Sequence, residues 1–150
     1  MRLVIQRSAH ASVSVGSDYR REISRGLTIL VGVEVGDTAD DVDFVARKTS
    51  TLRIFDDDEG VMNRSVVDVA GELLAVSQFT LLASTRKGNR PSYIRSAKGD
   101  EASALYDLYC SRLQQLTGIE VKKGIFGADM LVEIANDGPV TIIIDSRLKE

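Results

Sequence analysis

Apolar and polar positions alternate from the start of the chain. Leu3-Val4-Ile5 opens an apolar stretch, and Ala11, Val13 and Val15 then alternate with Ser12 and Ser14, the pattern of a half-buried strand. Gly16-Ser17-Asp18 supplies a turn. Leu27-Thr28-Ile29-Leu30-Val31-Gly32-Val33 is apolar almost throughout and of strand length, which predicts a buried central strand. The period then changes. Thr38 is a good N-cap with Asp41 three residues later, and Val42, Val45, Ala46 and Thr49 fall on one helical face. Leu52-Arg53-Ile54-Phe55 returns to strand, and Leu73-Leu74-Ala75-Val76 predicts another buried strand. A second helix is expected over 100–117, with Ala102, Leu105, Tyr109, Leu113 and Leu116 on one face and Gly118 as its stop. Two strands, 131–135 and 140–145, close the pattern, joined by Asn136-Asp137-Gly138-Pro139.

These elements predict a single α+β domain over residues 1–150, with a largely antiparallel sheet and two or three helices. No repeat, linker or low-complexity tract divides it. With 43% apolar residues, a chain of 150 can bury a real core. No run is long and apolar enough to span a bilayer. MRLVIQRSAH reads as a strand rather than a signal peptide, so a cytoplasmic location is expected. The net charge of −3 argues against indiscriminate nucleic-acid binding but leaves room for a local basic patch.

One cysteine and one histidine exclude an intrachain disulfide and a zinc site built from several His and Cys ligands. Cys110, inside the second amphipathic helix, reads as structural filler. Asp56-Asp57-Asp58-Glu59 lacks the length and spacing of a calcium loop and reads as a solvated turn.

Three stretches could carry chemistry. Ser77-Gln78-Phe79-Thr80-Leu81-Leu82 follows a buried strand directly, which puts hydroxyls and main-chain N–H groups at a sheet edge, where they could stabilise an oxyanion. Residue types alone favour the plainer role of satisfying backbone at a strand end. Arg86-Lys87-Gly88-Asn89-Arg90-Pro91-Ser92-Tyr93 puts three cations in five residues, continued by Arg95 and Lys98. It is either an anion site or a solvated basic loop, and Pro91 suits the first turn of a short helix. Gly138-Pro139 lies between two strands. Asp-Gly is itself a hairpin signal, so an ordinary hairpin turn is favoured, although X-Pro bonds tolerate the cis form. His10 is the one candidate base for a Ser-His-Asp triad, but it lies beside a normally alternating strand. No nucleophile elbow, P-loop or dinucleotide fingerprint is present.

In order along the chain, Leu52-Arg53-Ile54-Phe55, Gly60 with Met62-Asn63, Ser77-Gln78-Phe79-Thr80-Leu81, Lys87-Gly88 with Arg90-Pro91, Phe126-Gly127-Ala128 with Met130, and Asn136-Asp137-Gly138-Pro139-Val140-Thr141 resemble the D-aminoacyl-tRNA deacylase family. The likeness spreads over nearly the full length. Ser84-Thr85 depart from it, standing where an acidic residue is frequent.

The resemblance implies a barrel-like sheet and a homodimer without metal or organic cofactor that hydrolyses the ester of D-aminoacyl-tRNA. It implies a catalytic segment of Ser77, Gln78, Phe79 and Thr80. A cis Gly138-Pro139 peptide from the other subunit, steadied by Arg7, would face the substrate's amino group, with Phe126 and Met130 also against the substrate. Arg86, Lys87 and Arg90, with Lys122 and Lys123, would meet the tRNA. Two other readings remain open: a non-catalytic RNA- or DNA-associated module on the same fold, and a small-molecule esterase relying on His10.

Overall fold

A computed structural model describes residues 1–149. The two apolar stretches at the start merge into one long strand, β1 (Arg2–Val15), because their side-chain alternation stays in phase with a single ladder. β2 (Tyr19–Ile23) folds back on its second half after the turn at Gly16. β3 (Gly26–Gly32), the apolar run, pairs antiparallel with its first half, Ile5 opposite Ile29. As expected of a strand with no polar face, β3 is central. Its other edge takes β6 (Glu72–Ser77) in parallel, and β6 takes β7 (Val121–Lys123) in parallel. With β8 (Leu131–Asp145) on β1, this is a mixed sheet in which β1 makes only antiparallel pairs. A separate two-stranded ribbon joins β4 (Phe55–Asp56) to β5 (Met62–Arg64).

The helices match their expected extents closely. α1 (Ala39–Ser50) starts where Thr38 N–H donates to the Asp41 carboxylate over 2.9 Å, and it buries Val42, Val45, Ala46 and Thr49. α2 (Gly99–Thr117) ends at Gly118, whose φ is +70°. Its buried face is rotated from the expected one. Tyr106 and Cys110 are buried beside Ala102, Tyr109 and Leu113, whereas Leu116 is exposed. Both helices pack over one core that includes Leu3, Ile5, Leu27, Ile29 and Leu73.

Three expectations need correction. Of Leu52-Arg53-Ile54-Phe55, only Phe55 is in a strand; the remainder is irregular. No short helix starts at Pro91. The basic loop is instead closed by a bridge in which Ser84 and Ser92 exchange N–H···O bonds of 2.9 Å. Asn136-Asp137-Gly138-Pro139 is not a hairpin turn. Residues on both sides of it pair antiparallel with β1, so β8 keeps its direction. Gln6 faces Thr141 and Ser8 faces Asn136, so residues 137–140 are thrown out of the ladder as a bulge. The Gly138-Pro139 peptide in that bulge is cis.

Candidate active site

β6 runs through the core and emerges at Ser77, where the chain tightens into a 3₁₀ turn, Phe79–Leu82. Two neighbours hold the turn. Gln78 N–H donates to the Val31 carbonyl of β3 over 2.7 Å, and Arg2 Nη1 donates to the Leu81 carbonyl over 3.1 Å. The first N–H groups of a helical turn have no partner inside it. Among the described residues, neither Phe79 N–H nor Thr80 N–H finds an acceptor. The Thr80 hydroxyl accepts a hydrogen bond from the Gln78 side-chain amide, so its own proton is free to point elsewhere. Among the described residues, no histidine, lysine or carboxylate is bonded to that hydroxyl.

Ser77, Gln78 and Phe79 line a cleft of about 600 Å³. Phe126 and Met130 also line it, as does the start of α2 at Lys98 and Gly99. Phe79 is 55% exposed, and its ring meets Tyr93 edge-on at 5.0 Å and 72°. An exposed aromatic held by a second aromatic offers a stacking surface in the lining of the cleft. Ser96, almost fully buried, donates its hydroxyl to the Phe79 carbonyl over 2.9 Å. Sequence patterns did not single out Tyr93 or Ser96. Both sit in a basic stretch whose charges dominate it, and nothing local marks their contact with a residue about fifteen positions earlier.

Of the other residues singled out from sequence, Thr80 sits beside the cleft, on the turn. Arg7 is buried on β1 and grips the bulge of β8: its Nε donates to the Asp137 carbonyl over 3.3 Å, and Nη1 donates to the Ile54 carbonyl over 2.8 Å. Gly138 and Pro139 are exposed and do not line the cleft of their own chain. Arg86, Lys87 and Arg90 are exposed, and among the described residues none is in an ion pair. Lys122 and Lys123, by contrast, are paired with Glu72 and Asp107, at 2.7 and 2.8 Å. The Lys122 contact holds the Glu72 carboxyl below its ordinary value, and the Asp107 contact raises the Lys123 ammonium.

His10 is exposed in a separate polar hollow with Arg20, Glu22 and Lys122, so it meets none of Ser77, Gln78, Phe79 or Thr80. The acidic run at 56–59 is a turn, as expected. Asp57 accepts the N–H groups of Glu59 and Val61, each over 3.0 Å, and those bonds, that from Val61 first, lower its carboxyl. Among the described residues no three His, Cys, Asp or Glu side chains are grouped to hold a metal, and no helix is long and apolar enough to cross a membrane.

Comparison with known proteins adds a second line of observation. Residues 4–145 match the family described as D-Tyr-tRNA(Tyr) deacylase. A D-aminoacyl-tRNA deacylase of Parabacteroides distasonis is 53% identical over the full length of both chains. The solved structure of a c-Myc DNA unwinding element binding protein superposes with a TM-score of 0.90 at 38% identity, covering 97% of this chain and 98% of that one. A probable eukaryotic D-amino acid tRNA deacylase shares the fold at a TM-score of 0.80 and 18% identity, over 96% and 98% of the two chains.

Proposed function

The chain belongs to the D-Tyr-tRNA(Tyr) deacylase family, and on that footing we propose that it hydrolyses D-aminoacyl-tRNA at the cleft beside Phe79. The observation that carries the assignment to this cleft is the pair of N–H groups, Phe79 and Thr80, without acceptors at the strand end. Water attacks the ester carbonyl, and negative charge collects on its oxygen. Main-chain donors that reach that oxygen stabilise the charge more than they stabilise the neutral ester, which is what lowers a barrier. The acyl C–O bond then breaks, the 3′-oxygen takes up a proton, and free tRNA and the amino acid leave. Thr80 is not the nucleophile in this scheme, since a hydroxyl nucleophile needs a base and none adjoins it. The 2′-hydroxyl of the terminal ribose assists the attacking water instead.

The amino acid's handedness is read by a second copy of the chain. Support comes from β8, which among the described residues pairs with β1 alone and so leaves a long free edge, with Leu131 and Ile143 exposed beside it. Such an edge invites another strand. In the resulting homodimer, Gly138 and Pro139 of one copy enter the cleft of the other, and their carbonyls receive the substrate ammonium. With ammonium and ester both fixed, one side-chain direction stays open, and an L side chain meets the Gly138-Pro139 peptide. Glycine has no side chain to exclude, so glycyl-tRNA is also hydrolysed. Arg86, Lys87 and Arg90 carry unpaired charge to the tRNA phosphates, making binding salt-dependent. The protein acts in the cytoplasm, with no cofactor.

Similarity to a c-Myc DNA unwinding element binding protein favours one further reading, DNA association through the same basic loop. Deacylation of D- and L-tyrosyl-tRNA separates the two. Release of D-tyrosine with the L-ester untouched is the expected result. Equal turnover of the two esters would remove the chiral mechanism, and no turnover of either would leave the binding module.

A further inference from the structure

The Phe79–Thr80 peptide is held from outside its own strand and turn. The Ser96 hydroxyl donates to the Phe79 carbonyl over 2.9 Å, and Ser96 is only 3% exposed. A trans peptide unit is planar, with its carbonyl and the following N–H pointing in opposite directions. A donor that fixes the Phe79 carbonyl therefore fixes the Thr80 N–H as well. Ser96 is itself anchored. Its neighbour Ala97 donates N–H to the Val33 carbonyl, and Val35 N–H donates to the Arg95 carbonyl, both over 2.9 Å. The Arg95 guanidinium meets the buried Glu34 carboxylate at 2.8 Å. The Phe79 ring rests on Tyr93 of the same segment. Residues 93–97 thus grip both the side chain and the main chain of Phe79 from a distant part of the sequence.

We propose that Ser96 is a positioning residue for deacylation, aiming the Thr80 N–H at the oxyanion. This rests on the assignment of Phe79 and Thr80 as oxyanion donors. Ser96 acts through the peptide and not on the substrate, so its loss lowers the rate of the chemical step without weakening tRNA binding.

The test compares Ser96→Ala, Ser96→Cys and Ser96→Thr with wild type in steady-state deacylation of D-tyrosyl-tRNA. Deleting an oxyanion donor outright costs roughly 10²–10³ in kcat; loosening one is expected to lower kcat about tenfold in Ser96→Ala, with KM within about twofold. Ser96→Thr keeps the hydroxyl and returns kcat to within about threefold of wild type. Ser96→Cys, close in size but a weak donor, falls between them and reports even where alanine fails to fold. An unchanged kcat in Ser96→Ala and Ser96→Cys, a loss confined to KM, or equal losses in Ser96→Ala and Ser96→Thr would overturn the proposal. Wild type inert on D-tyrosyl-tRNA defeats the functional assignment itself; active wild type with equally active variants defeats this inference alone.

Discussion

Arg7 Nε stands 3.2 Å from a carboxylate oxygen of Asp137 and 3.3 Å from its main-chain carbonyl. The same guanidinium reaches the Ile54 carbonyl at 2.8 Å and Asp56 at 3.2 Å. One buried side chain thus ties the bulge of β8 to the segment leading into β4. Arg7→Ala leaves those acceptors short of donors, and hydrogen bonds to a charged group contribute more than neutral ones. The expected loss is about 2 kcal/mol of stability. Under the proposed reading of handedness by Gly138 and Pro139, a loosened bulge also discriminates less, so the D/L turnover ratio is expected to fall. Arg7→Lys does not rescue it, because an ammonium cannot span a fork of acceptors. Urea midpoints and paired deacylation assays check both effects; wild-type values in Arg7→Ala would dismiss the tie.

Gly26 pairs with Glu72 at the start of the β3–β6 ladder. A Cβ there would lie 2.0 Å from the Glu72 carbonyl oxygen, and neither backbone can move aside within a paired parallel ladder. Gly26→Ala is therefore expected to cost about 3 kcal/mol or more, beyond ordinary overpacking. The urea midpoint measures it, and a variant as stable as wild type would show that the ladder yields.

Much of the fold was legible because burial imposes a period. The run from Leu27 to Val33 has no polar face and proves central, and Thr38 with Asp41 marks the start of α1. Long-range geometry was not legible. Asp137-Gly138 reads locally as a hairpin, yet pairing with β1 on both sides, and Arg7 beneath the bulge, keep the strand going. Leu116 fits a helical stripe, but α2 turns Tyr106 and Cys110 inward, and the Tyr106 hydroxyl donates to the Ala75 carbonyl over 2.9 Å. At the candidate site, residue types alone favoured a backbone-satisfying role for the Ser77-to-Thr80 stretch, and the family resemblance was what drew attention to it; the stretch does lie at the end of buried β6. Ser96 could not be found, because what marks it is one long-range contact, with the Phe79 carbonyl.

Cys110 gives a pH prediction. Burial pushes its thiol up to about 12, whereas an unfolded cysteine titrates near ~8.5. With the folded value above the unfolded one, the contribution to stability is complete below the unfolded value and is lost as pH rises towards the folded value. Between pH 8 and 10 that loss is about 2 kcal/mol. Cys110→Ala removes the titrating group, so its urea midpoint should fall less over the same interval. An identical fall in both proteins would mean that the thiol is not the source.

The proposed chemistry makes opposite demands on Thr80 and on the substrate's 2′-hydroxyl. The Thr80 hydroxyl is bonded to the Gln78 amide and has no base beside it, which suits neither proton removal nor attack. In the proposed chemistry Thr80 supplies its main-chain N–H, and alanine keeps that group. Thr80→Ala is thus expected to retain kcat within about tenfold, far from the loss that follows removal of a true nucleophile. A D-tyrosyl-tRNA ending in 2′-deoxyadenosine should lose more, because the group that assists the attacking water is then missing from the substrate itself. Single-turnover rates with the two substrates and the two proteins form a cycle that separates these roles. If Thr80→Ala abolished turnover while the deoxy substrate reacted normally, the hydroxyl of Thr80 would be the nucleophile after all, and its base would have to come from outside the contacts this chain makes with Thr80.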